Sequence, residues 1–261
     1  MTTSFYKCNG NGNTFIIVIQ DKDFAKKISK NKIKNICKSI DNNITDGFIS
    51  VYYKNNVIIT NYYNNDGNWE TFCLNGLRCV ALIMSDKINK KSINITMNDI
   101  IYRTKVNNDD TVSVRLKEPI YKMKDIIIDD LKGDYICSGS KHFVCDYSKE
   151  WLDNNFLKLE MRKIRYHDFF KPNGLNVNYY KVIGKNIIQI KTYEKGIEKI
   201  MKSCSSGSYA CAYDYSKKNN IYGKIKVLND GGISQITFRE SYINNLFKGV
   251  AEIEYKGKIE I

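Results

Sequence analysis

A short phrase occurs twice in this chain of 261 residues, and its two copies stand 131 positions apart. The first copy reads Cys73-Leu-Asn-Gly and the second reads Cys204-Ser-Ser-Gly. Each leads into small residues that can begin a helix, with a second cysteine about two turns later. A single Cys-x-x-Gly carries no information, but two copies at matching places indicate an internal duplication. The chain is therefore predicted to fold as two similar halves.

The predicted elements around the two phrases follow one plan. In the first half, hydrophobic periodicity predicts strands at 14–20, 47–53, 56–62, 93–97, 100–105 and 112–116, and helices at 23–40 and 77–86. In the second half it predicts a strand with a turn at 135–146, strands at 177–183, 187–192, 224–228, 234–239 and 250–255, and helices at 151–166 and 205–218. We expect an α+β protein of two tandem, pseudo-symmetric domains, 1–117 and 118–261. Whether a strand at about 250–261 returns to the first domain is left open.

The net charge of +13 comes mostly from lysines that are scattered along the chain rather than gathered in a basic tail. This distribution is typical of solvated surfaces, so we expect no nucleic-acid partner, although the charge should attract anionic substrates. No stretch approaches the ~20 apolar residues that span a bilayer. Residues 1–14 lack the pattern of a signal peptide. We expect a cytoplasmic protein without a membrane partner.

The chain contains eight cysteines and only two histidines, and no two cysteines form a Cys-x-x-Cys pair. Wide cysteine spacing in a long chain without a secretion signal favours reduced thiols over disulfides. Zinc sites need cysteine and histidine ligands at short, regular spacings, so we expect no metal site.

A cysteine that begins a helix lies near the positive end of the helix dipole and near unpaired N–H groups. Both features favour a thiolate, and the same N–H groups can hold a carboxylate. If the two turns face each other, one thiolate can remove the proton beside a carboxylate while the other thiol delivers a proton from the opposite side. This two-base inversion needs no cofactor. Cys73 and Cys204 are therefore the candidate catalytic pair, and the alternative that they are small core residues stays open.

Further phrases resemble the diaminopimelate epimerase family, in the order in which that family has them. Lys7-Cys-Asn-Gly-Asn-Gly-Asn13-Thr-Phe stands near the N-terminus, and Asn64-Asn-Asp-Gly-Asn precedes the first cysteine turn. The second half contributes Gly-Ser-Lys-His142, Asn176-Val-Asn-Tyr, Thr-Tyr-Glu194-Lys-Gly and Ser-Cys204-Ser-Ser-Gly-Ser. With the first cysteine turn, these phrases extend from residue 7 to residue 212 and are jointly specific.

The resemblance implies a diaminopimelate-epimerase-like fold, in which each domain is a curved sheet around a central helix and the active site lies in the cleft between the domains. It implies that Cys73 and Cys204 are the acid and the base, and that His142 and Glu194 adjust the acidity of the two thiols. The implied substrate-binding residues are Asn13, Asn64, Leu74, Asn75, Asn176, Glu194, Lys195, Ser205 and Ser206. The partner is a small-molecule amino acid, and the implied reaction interconverts LL- and meso-diaminopimelate.

The chain departs from the family pattern at several positions. Leu74 replaces a glycine, which narrows the turn but leaves its N–H group in place. Ser140 replaces an asparagine, and Lys195 replaces an arginine that would hold a distal carboxylate through two hydrogen bonds. Three alternatives therefore stay open: a racemase of another amino acid, a binding protein that has lost turnover and, from the charge alone, a nucleic-acid binder. A homodimer is also left open.

Overall fold

The computed structural model describes residues 2–20, 28–40, 44–147, 149–151 and 153–261. The chain forms two compact units. The first unit contains residues 1–115 and 248–261, and the second contains residues 116–247. The C-terminal segment therefore folds with the N-terminal one.

The secondary structure is rich in strands. The first half of the chain contains β1 (Thr2–Gly10), β2 (Asn13–Gln20), α1 (Lys30–Ser39), β3 (Gly47–Lys54), β4 (Val57–Asn64), β5 (Trp69–Glu70), α2 (Leu74–Lys87), β6 (Ser92–Met97), β7 (Ile100–Val106) and β8 (Thr111–Leu116). The second half contains β9 (Ile120–Ile128), β10 (Leu131–Cys137), β11 (Lys141–Asp146), α3 (Asn154–Tyr166), a 3-10 turn (Asp168–Phe170), β12 (Asn176–Gly184), β13 (Ile187–Glu194), β14 (Lys199–Met201), α4 (Ser205–Asn219), β15 (Gly223–Asn229), β16 (Gly232–Phe238), β17 (Asn245–Val250) and β18 (Glu252–Glu260).

The two units repeat one strand order. In the first unit, β18–β1, β1–β2, β3–β4 and β6–β7 pair antiparallel, whereas β2–β3 and β4–β6 pair parallel. In the second unit, β9–β10, β10–β11, β12–β13 and β15–β16 pair antiparallel, whereas β11–β12 and β13–β15 pair parallel. The internal duplication that the two cysteine phrases indicate is therefore present in the strand topology.

One helix in each unit is buried along most of its length. α2 contacts β1, β2, β6, β7 and β18, and α4 contacts β10, β11, β12, β13, β15 and β16. Because strands from different parts of each sheet reach the same helix, each sheet curves around its helix. The expected α+β fold of two domains, each with a central helix, is confirmed.

The other two helices cover the outer face of each sheet. α1 begins at Ser29, whose side chain accepts a hydrogen bond from the Lys32 N–H, and α3 begins at Asp153, which caps its first turn in the same way. Apolar residues at helical spacing face the sheet in both cases. Those of α1 are Ile33, Ile36 and Cys37, and those of α3 are Leu157, Met161 and Ile164.

α4 is rich in serine and tyrosine, and its burial requires partners for these polar groups. Asp214 is fully buried, and it accepts hydrogen bonds from the hydroxyls of Tyr121 and Tyr180, each at 2.9 Å, and from Lys218 Nζ at 2.8 Å. Burial raises the pKa of Asp214 to about 6. Within the part of the chain that the structure describes, no helix has both the length and the apolar character needed to cross a membrane.

The structure confirms most predicted elements and corrects several. The helix predicted at 77–86 begins earlier, at Leu74, because the backbone oxygen of Cys73 already accepts the Leu77 N–H at 2.9 Å. Among the described residues of the helix predicted at 23–40, the helix is Lys30–Ser39; residues 23–27 lie outside the described residues. The helix predicted at 151–166 begins at Asn154.

The strand predictions also need correction. Five strands were not predicted, namely β1, β5, β9, β14 and β17. The strand predicted at 250–255 is present as the first part of β18, which begins at Glu252; Val250 ends β17, and the ladder breaks at Ala251 between them. The segment 135–146 contains parts of two strands, β10 and β11, rather than one strand with a turn.

Candidate active site

The first cysteine of the duplicated phrase is the residue that begins α2. Cys73 is half-buried, has extended dihedral angles (φ −139°, ψ 103°), and its Sγ accepts a hydrogen bond from the Gly76 N–H at 3.4 Å. Its own N–H donates to the sulfur of Met97 at 3.4 Å. The thiol therefore lies over the N–H groups of the first helical turn, as the sequence predicts.

Glycines allow close packing around this first turn. A Cβ on Gly10 would lie 3.0 Å from the backbone oxygen of Asn75, and a Cβ on Gly76 would overlap Cδ1 of Ile49. Leu74 and Asn75 are both nearly fully buried. The turn is therefore held against β1 on one side and β3 on the other.

A buried arginine sets the direction of the hydrogen bonds beside Cys73. Arg78 donates from Nη2 to Asn75 Oδ1 at 3.0 Å and to Asn11 Oδ1 at 2.9 Å. Because Asn75 Oδ1 faces the arginine, its Nδ2 donates to Asn13 Oδ1, at 3.2 Å. Asn13 Nδ2 is then a buried donor without a hydrogen-bond partner among the described residues. Burial lowers the pKa of Arg78 to about 10, so the guanidinium keeps its charge at neutral pH.

Asn64, a predicted substrate-binding residue, lies at the end of β4 and makes hydrogen bonds outside the Arg78–Asn75–Asn13 network. Its Oδ1 accepts the Tyr62 hydroxyl at 2.7 Å, and its Nδ2 donates to Glu70 Oε1 at 3.4 Å. The hydrogen bonds of the first unit thus join Asn13 to Asn75 and tie Asn64 to its own strand and to β5.

The second cysteine begins α4 with almost the same backbone. Cys204 has φ −128° and ψ 104°, is 5% exposed, and its Sγ lies 3.5 Å from Ser206 Oγ. The Ser208 N–H begins the helical ladder by donating to the Cys204 oxygen at 2.8 Å. The matching dihedral angles show that the duplicated sequence phrase produces a duplicated helix start.

The first turn of α4 is lined by buried serines. Ser205 and Ser206 are 2% and 8% exposed, and the Ser206 oxygen accepts the hydroxyl of Ser138 at 2.8 Å. Ser208 Oγ donates to the Cys204 oxygen at 2.9 Å and lies 3.3 Å from Asn229 Oδ1. Small hydroxyl side chains thus pack around the Cys204 turn.

His142 lies on β11 and is fully buried. Asn178, on the neighbouring strand β12, places Nδ2 at 2.9 Å from His142 Nδ1, and the Thr192 hydroxyl donates to Asn178 Oδ1 at 2.9 Å. Burial lowers the pKa of His142 to about 3. The imidazole is therefore neutral at physiological pH.

Strand pairing and a hydrogen bond connect His142 to Asn176 and Asn176 to the Glu194–Lys195 segment. Asn176 is paired with His142 across the parallel strands β11 and β12, and its Oδ1 accepts the Lys195 N–H at 2.9 Å. Glu194 is the last residue of β13, and its backbone oxygen accepts the Glu198 N–H at 2.8 Å. The second unit thus brings four predicted positions onto adjacent strand ends.

The remaining cysteines include several that are part of the core. A hydrogen bond with Cys8, together with burial, raises the pKa of Cys79 well above its ordinary value, and burial does the same for Cys211. Burial raises the pKa of Cys37 to about 11 and that of Cys145 to about 12. These thiols stay protonated at neutral pH, as the structural interpretation of the sequence expects.

Three supporting residues were not predicted as part of the site. Arg78 and Asn11 orient the Asn75 amide, and Asn178 orients the His142 ring. A partial signal exists for Arg78, which stands inside the first cysteine phrase, and for Asn178, which stands inside the Asn-Val-Asn-Tyr phrase. Their roles depend on strand pairing that the sequence does not encode locally.

Two relatives named diaminopimelate epimerase align with nearly the whole chain. The protein from Hydrogenobaculum sp. (strain Y04AAS1) is 28% identical over 95% of this chain and 98% of its own length. The protein from Flavobacterium psychrophilum is 29% identical over 97% of this chain and 99% of its own length. No protein-family model matches the chain. The resemblance to diaminopimelate epimerases that the sequence motifs indicate is confirmed by these full-length alignments.

Solved structures of low sequence identity share the fold. A probable proline racemase from Agrobacterium radiobacter K84 superimposes with a TM-score of 0.77 at 11% identity, covering 99% of this chain and 93% of its own. A phenazine biosynthesis protein of the PhzF family from Enterococcus faecalis gives a TM-score of 0.72 at 10% identity, with both chains fully covered. These likenesses show that the fold of this chain occurs in racemase-like and related proteins.

Proposed function

We propose that the chain is a cofactor-independent amino-acid epimerase in which Cys73 and Cys204 serve as the acid/base pair. The observation that carries the proposal is the repeated helix start: two topologically equivalent helices each begin directly after a cysteine, with nearly equal dihedral angles. The relatives that align over almost the full chain bear the name of such an enzyme. The substrate we propose is diaminopimelate, converted between its LL and meso forms in the cytoplasm.

In the proposed reaction, one thiolate removes the α-hydrogen and the other thiol delivers a proton to the opposite face of the same carbon. The N–H groups of the two helix starts would hold the substrate carboxylate and stabilise the negative charge that develops beside it. The backbone groups of Leu74, Asn75, Ser205 and Ser206 have the appropriate positions in their helices for this task. The two thiols exchange roles when the reaction runs in reverse.

The rest of the substrate would be bound by side chains beside each turn. We propose that Asn13, Asn64 and Asn176 contribute amide groups, and that Glu194 and the Lys195 region bind the distal end. Asn13 Nδ2 has no acceptor among the described residues and supports this assignment, because a buried donor without an acceptor is costly and a substrate oxygen would satisfy it. His142 and Glu194 would assist the thiols.

A racemase of a different amino acid is the second candidate. It is favoured by Lys195, which offers a point charge where an arginine would form two parallel hydrogen bonds to a carboxylate. A substrate without a distal carboxylate would need no such clamp. An amino-acid-binding protein without turnover is the third candidate, motivated by Leu74 in place of glycine.

Exchange of the α-hydrogen in deuterated water separates these candidates. The protein is incubated with a panel of single amino acids, including both stereoisomers of diaminopimelate, and the loss of each α-proton signal is followed by nuclear magnetic resonance. We expect exchange and epimerisation of diaminopimelate. Exchange of another amino acid alone would favour the second candidate, and binding without exchange of any amino acid would favour the third.

A further inference from the structure

Asn178 occupies a position where three features of the second unit meet. It is fully buried in β12, stands directly opposite Thr192 of β13, and lies beside His142 of β11. A Cβ added to Gly207, in the first turn of α4, would overlap Asn178 Oδ1. One side chain therefore contacts the histidine and also supports the helix that begins at Cys204.

The orientation of the Asn178 amide follows from its hydrogen bonds. Its Nδ2 lies 3.1 Å from the backbone oxygen of Phe143 and 3.3 Å from that of Asn176, and both oxygens can only accept. Its Oδ1 accepts the Thr192 hydroxyl. The amide nitrogen must therefore face the side on which His142 Nδ1 lies.

This orientation decides which ring nitrogen of His142 carries the hydrogen. Because Nδ1 accepts from Asn178, the single hydrogen of the neutral ring belongs on Nε2. Nε2 is buried and has no hydrogen-bond partner among the residues that the structure describes. A fixed N–H donor is thus held inside the unit with its acceptor still to be supplied.

We infer that Asn178 is a positioning residue, which holds His142 as a neutral Nε2–H donor for an acceptor that arrives with the substrate. The inference rests on the proposed function and narrows the role of His142: it donates a hydrogen bond and does not carry a positive charge. The topologically equivalent glycine of the first unit rests instead on Ile49, an apolar side chain that cannot orient a ring. The polar support is therefore particular to the unit that contains the histidine.

The tautomer is measured on the resting protein, without turnover. In protein labelled with ¹⁵N at histidine, the ring nitrogen shifts of His142 should report an unprotonated Nδ1 and a protonated Nε2 from mildly acidic to mildly alkaline pH. His167 is the only other histidine in the chain, so His167→Gln assigns the signals. A proton on Nδ1, or a doubly protonated ring at neutral pH, would overturn the inference.

Asn178→Asp tests whether the amide causes this state. A carboxylate facing Nδ1 favours a proton there, so the Nε2–H-only form should be lost and the α-proton exchange rate should fall about 10- to 100-fold. Thr192→Val is the matched control, because it removes a buried hydrogen bond to the same side chain but leaves the two carbonyl oxygens that orient the amide. It should keep the Nε2–H form.

The outcomes distinguish this inference from the proposed function. A switched tautomer with an unchanged exchange rate would refute the positioning role, as would an Asn178→Asp protein that keeps the Nε2–H form. If Asn178→Asp does not fold, the tautomer of the native protein and of Thr192→Val still decides the question. Failure of the native protein to exchange any amino acid would refute the proposed function and leave the tautomer result standing.

Discussion

Cys73 and Cys204 begin their helices with nearly the same backbone, but the glycine three residues later rests on Ile49 in one unit and on Asn178 in the other. The repeated backbone indicates that a cysteine turn at the mouth of a buried helix is the common element of the duplication. The different supports show that the two copies have diverged around it. One turn lies on an apolar side chain and the other on an amide that is part of a hydrogen-bonded network.

The polar networks beside the two turns differ in composition, but in each of them one buried side chain orients another through hydrogen bonds. In the first unit, Arg78 orients Asn75, which orients Asn13. In the second unit, Asn178 orients His142. Each network ends in a buried N–H group, Asn13 Nδ2 or His142 Nε2, that has no hydrogen-bond partner among the described residues. Each unit therefore contains a buried N–H donor that can accept a ligand oxygen as its hydrogen-bond partner.

The largest expected effect concerns the two thiols themselves. If each unit supplies one half of an acid/base pair, Cys73→Ala and Cys204→Ala should each lower epimerisation by about 100-fold or more, because each removes one of the two proton-transfer groups. Steady-state turnover with the substrate identified from the panel measures this. Cys37→Ala, which removes a buried thiol from α1, should keep the native rate. A native rate in either active-site variant would break the equivalence of the two turns.

The next effect concerns the glycines of the two turns. Gly207→Ala should lower the stability of the protein by about 2–3 kcal/mol, because the new methyl group meets Asn178, whose amide is fixed by hydrogen bonds on both sides, and would also lie 3.1 Å from Thr192 Oγ1. Gly76→Ala should cost about 1 kcal/mol or less, because Ile49 Cδ1 is the end of a side chain that can rotate. Midpoints of urea unfolding compare the two variants. Equal losses would contradict the assigned difference in rigidity.

The smallest effect concerns the response of the second unit to acid. The pKa of His142 is lowered to about 3 in the folded chain. Below pH ~6.5 this histidine is therefore protonated in the unfolded chain but still neutral in the folded chain. The stability that depends on this histidine is therefore complete above pH ~6.5, and about 1–2 kcal/mol of it should be lost between pH 7 and 5.

His142→Gln should reduce this dependence of the unfolding free energy on pH, whereas His167→Gln should leave it in place. Both histidines are in the second unit, and the carboxyl groups contribute equally to all three proteins. The difference in slope between the proteins is therefore the quantity to compare. Identical slopes for the native protein and His142→Gln would mean that the histidine is not buried as a neutral ring.

Much of the fold could be predicted from the sequence because the duplication is visible as a repeated sequence phrase. The two cysteine phrases and the periodic segments around them predicted the two similar halves, and the central helices are present at both places. The start of α2 was predicted too late, since Leu74-Asn-Gly is a poor helix-forming run whose helical state depends on capping by Cys73.

β9 could not be predicted from periodicity, because its apolar residues do not alternate with polar ones between a buried and an exposed face. Ile120, Met123 and Ile127 are all exposed in the folded chain. The pairing of β9 with β10 defines this strand instead, and pairing is not visible in local sequence.

The candidate site divides in the same manner. The residues that carry the proposed chemistry stand in recognisable phrases, so Cys73 and Cys204 could be named from the sequence. The roles of the residues that orient the neighbouring side chains could not be predicted, because Asn178 becomes a partner of His142 only when β11 and β12 pair in parallel. Arg78 likewise orients Asn75 across one turn of α2 and only then acts on Asn13 in β2.

The central claim is that the two units supply two different proton-transfer groups to one carbon. It is tested most directly by the fate of the α-hydrogen during early conversion of a single diaminopimelate stereoisomer in deuterated water. A two-base reaction places deuterium on nearly every product molecule while the recovered substrate keeps its hydrogen, because the thiol that accepts the hydrogen is not the one that delivers the deuteron. Product that retains the original α-hydrogen would indicate a single base and would contradict the claim.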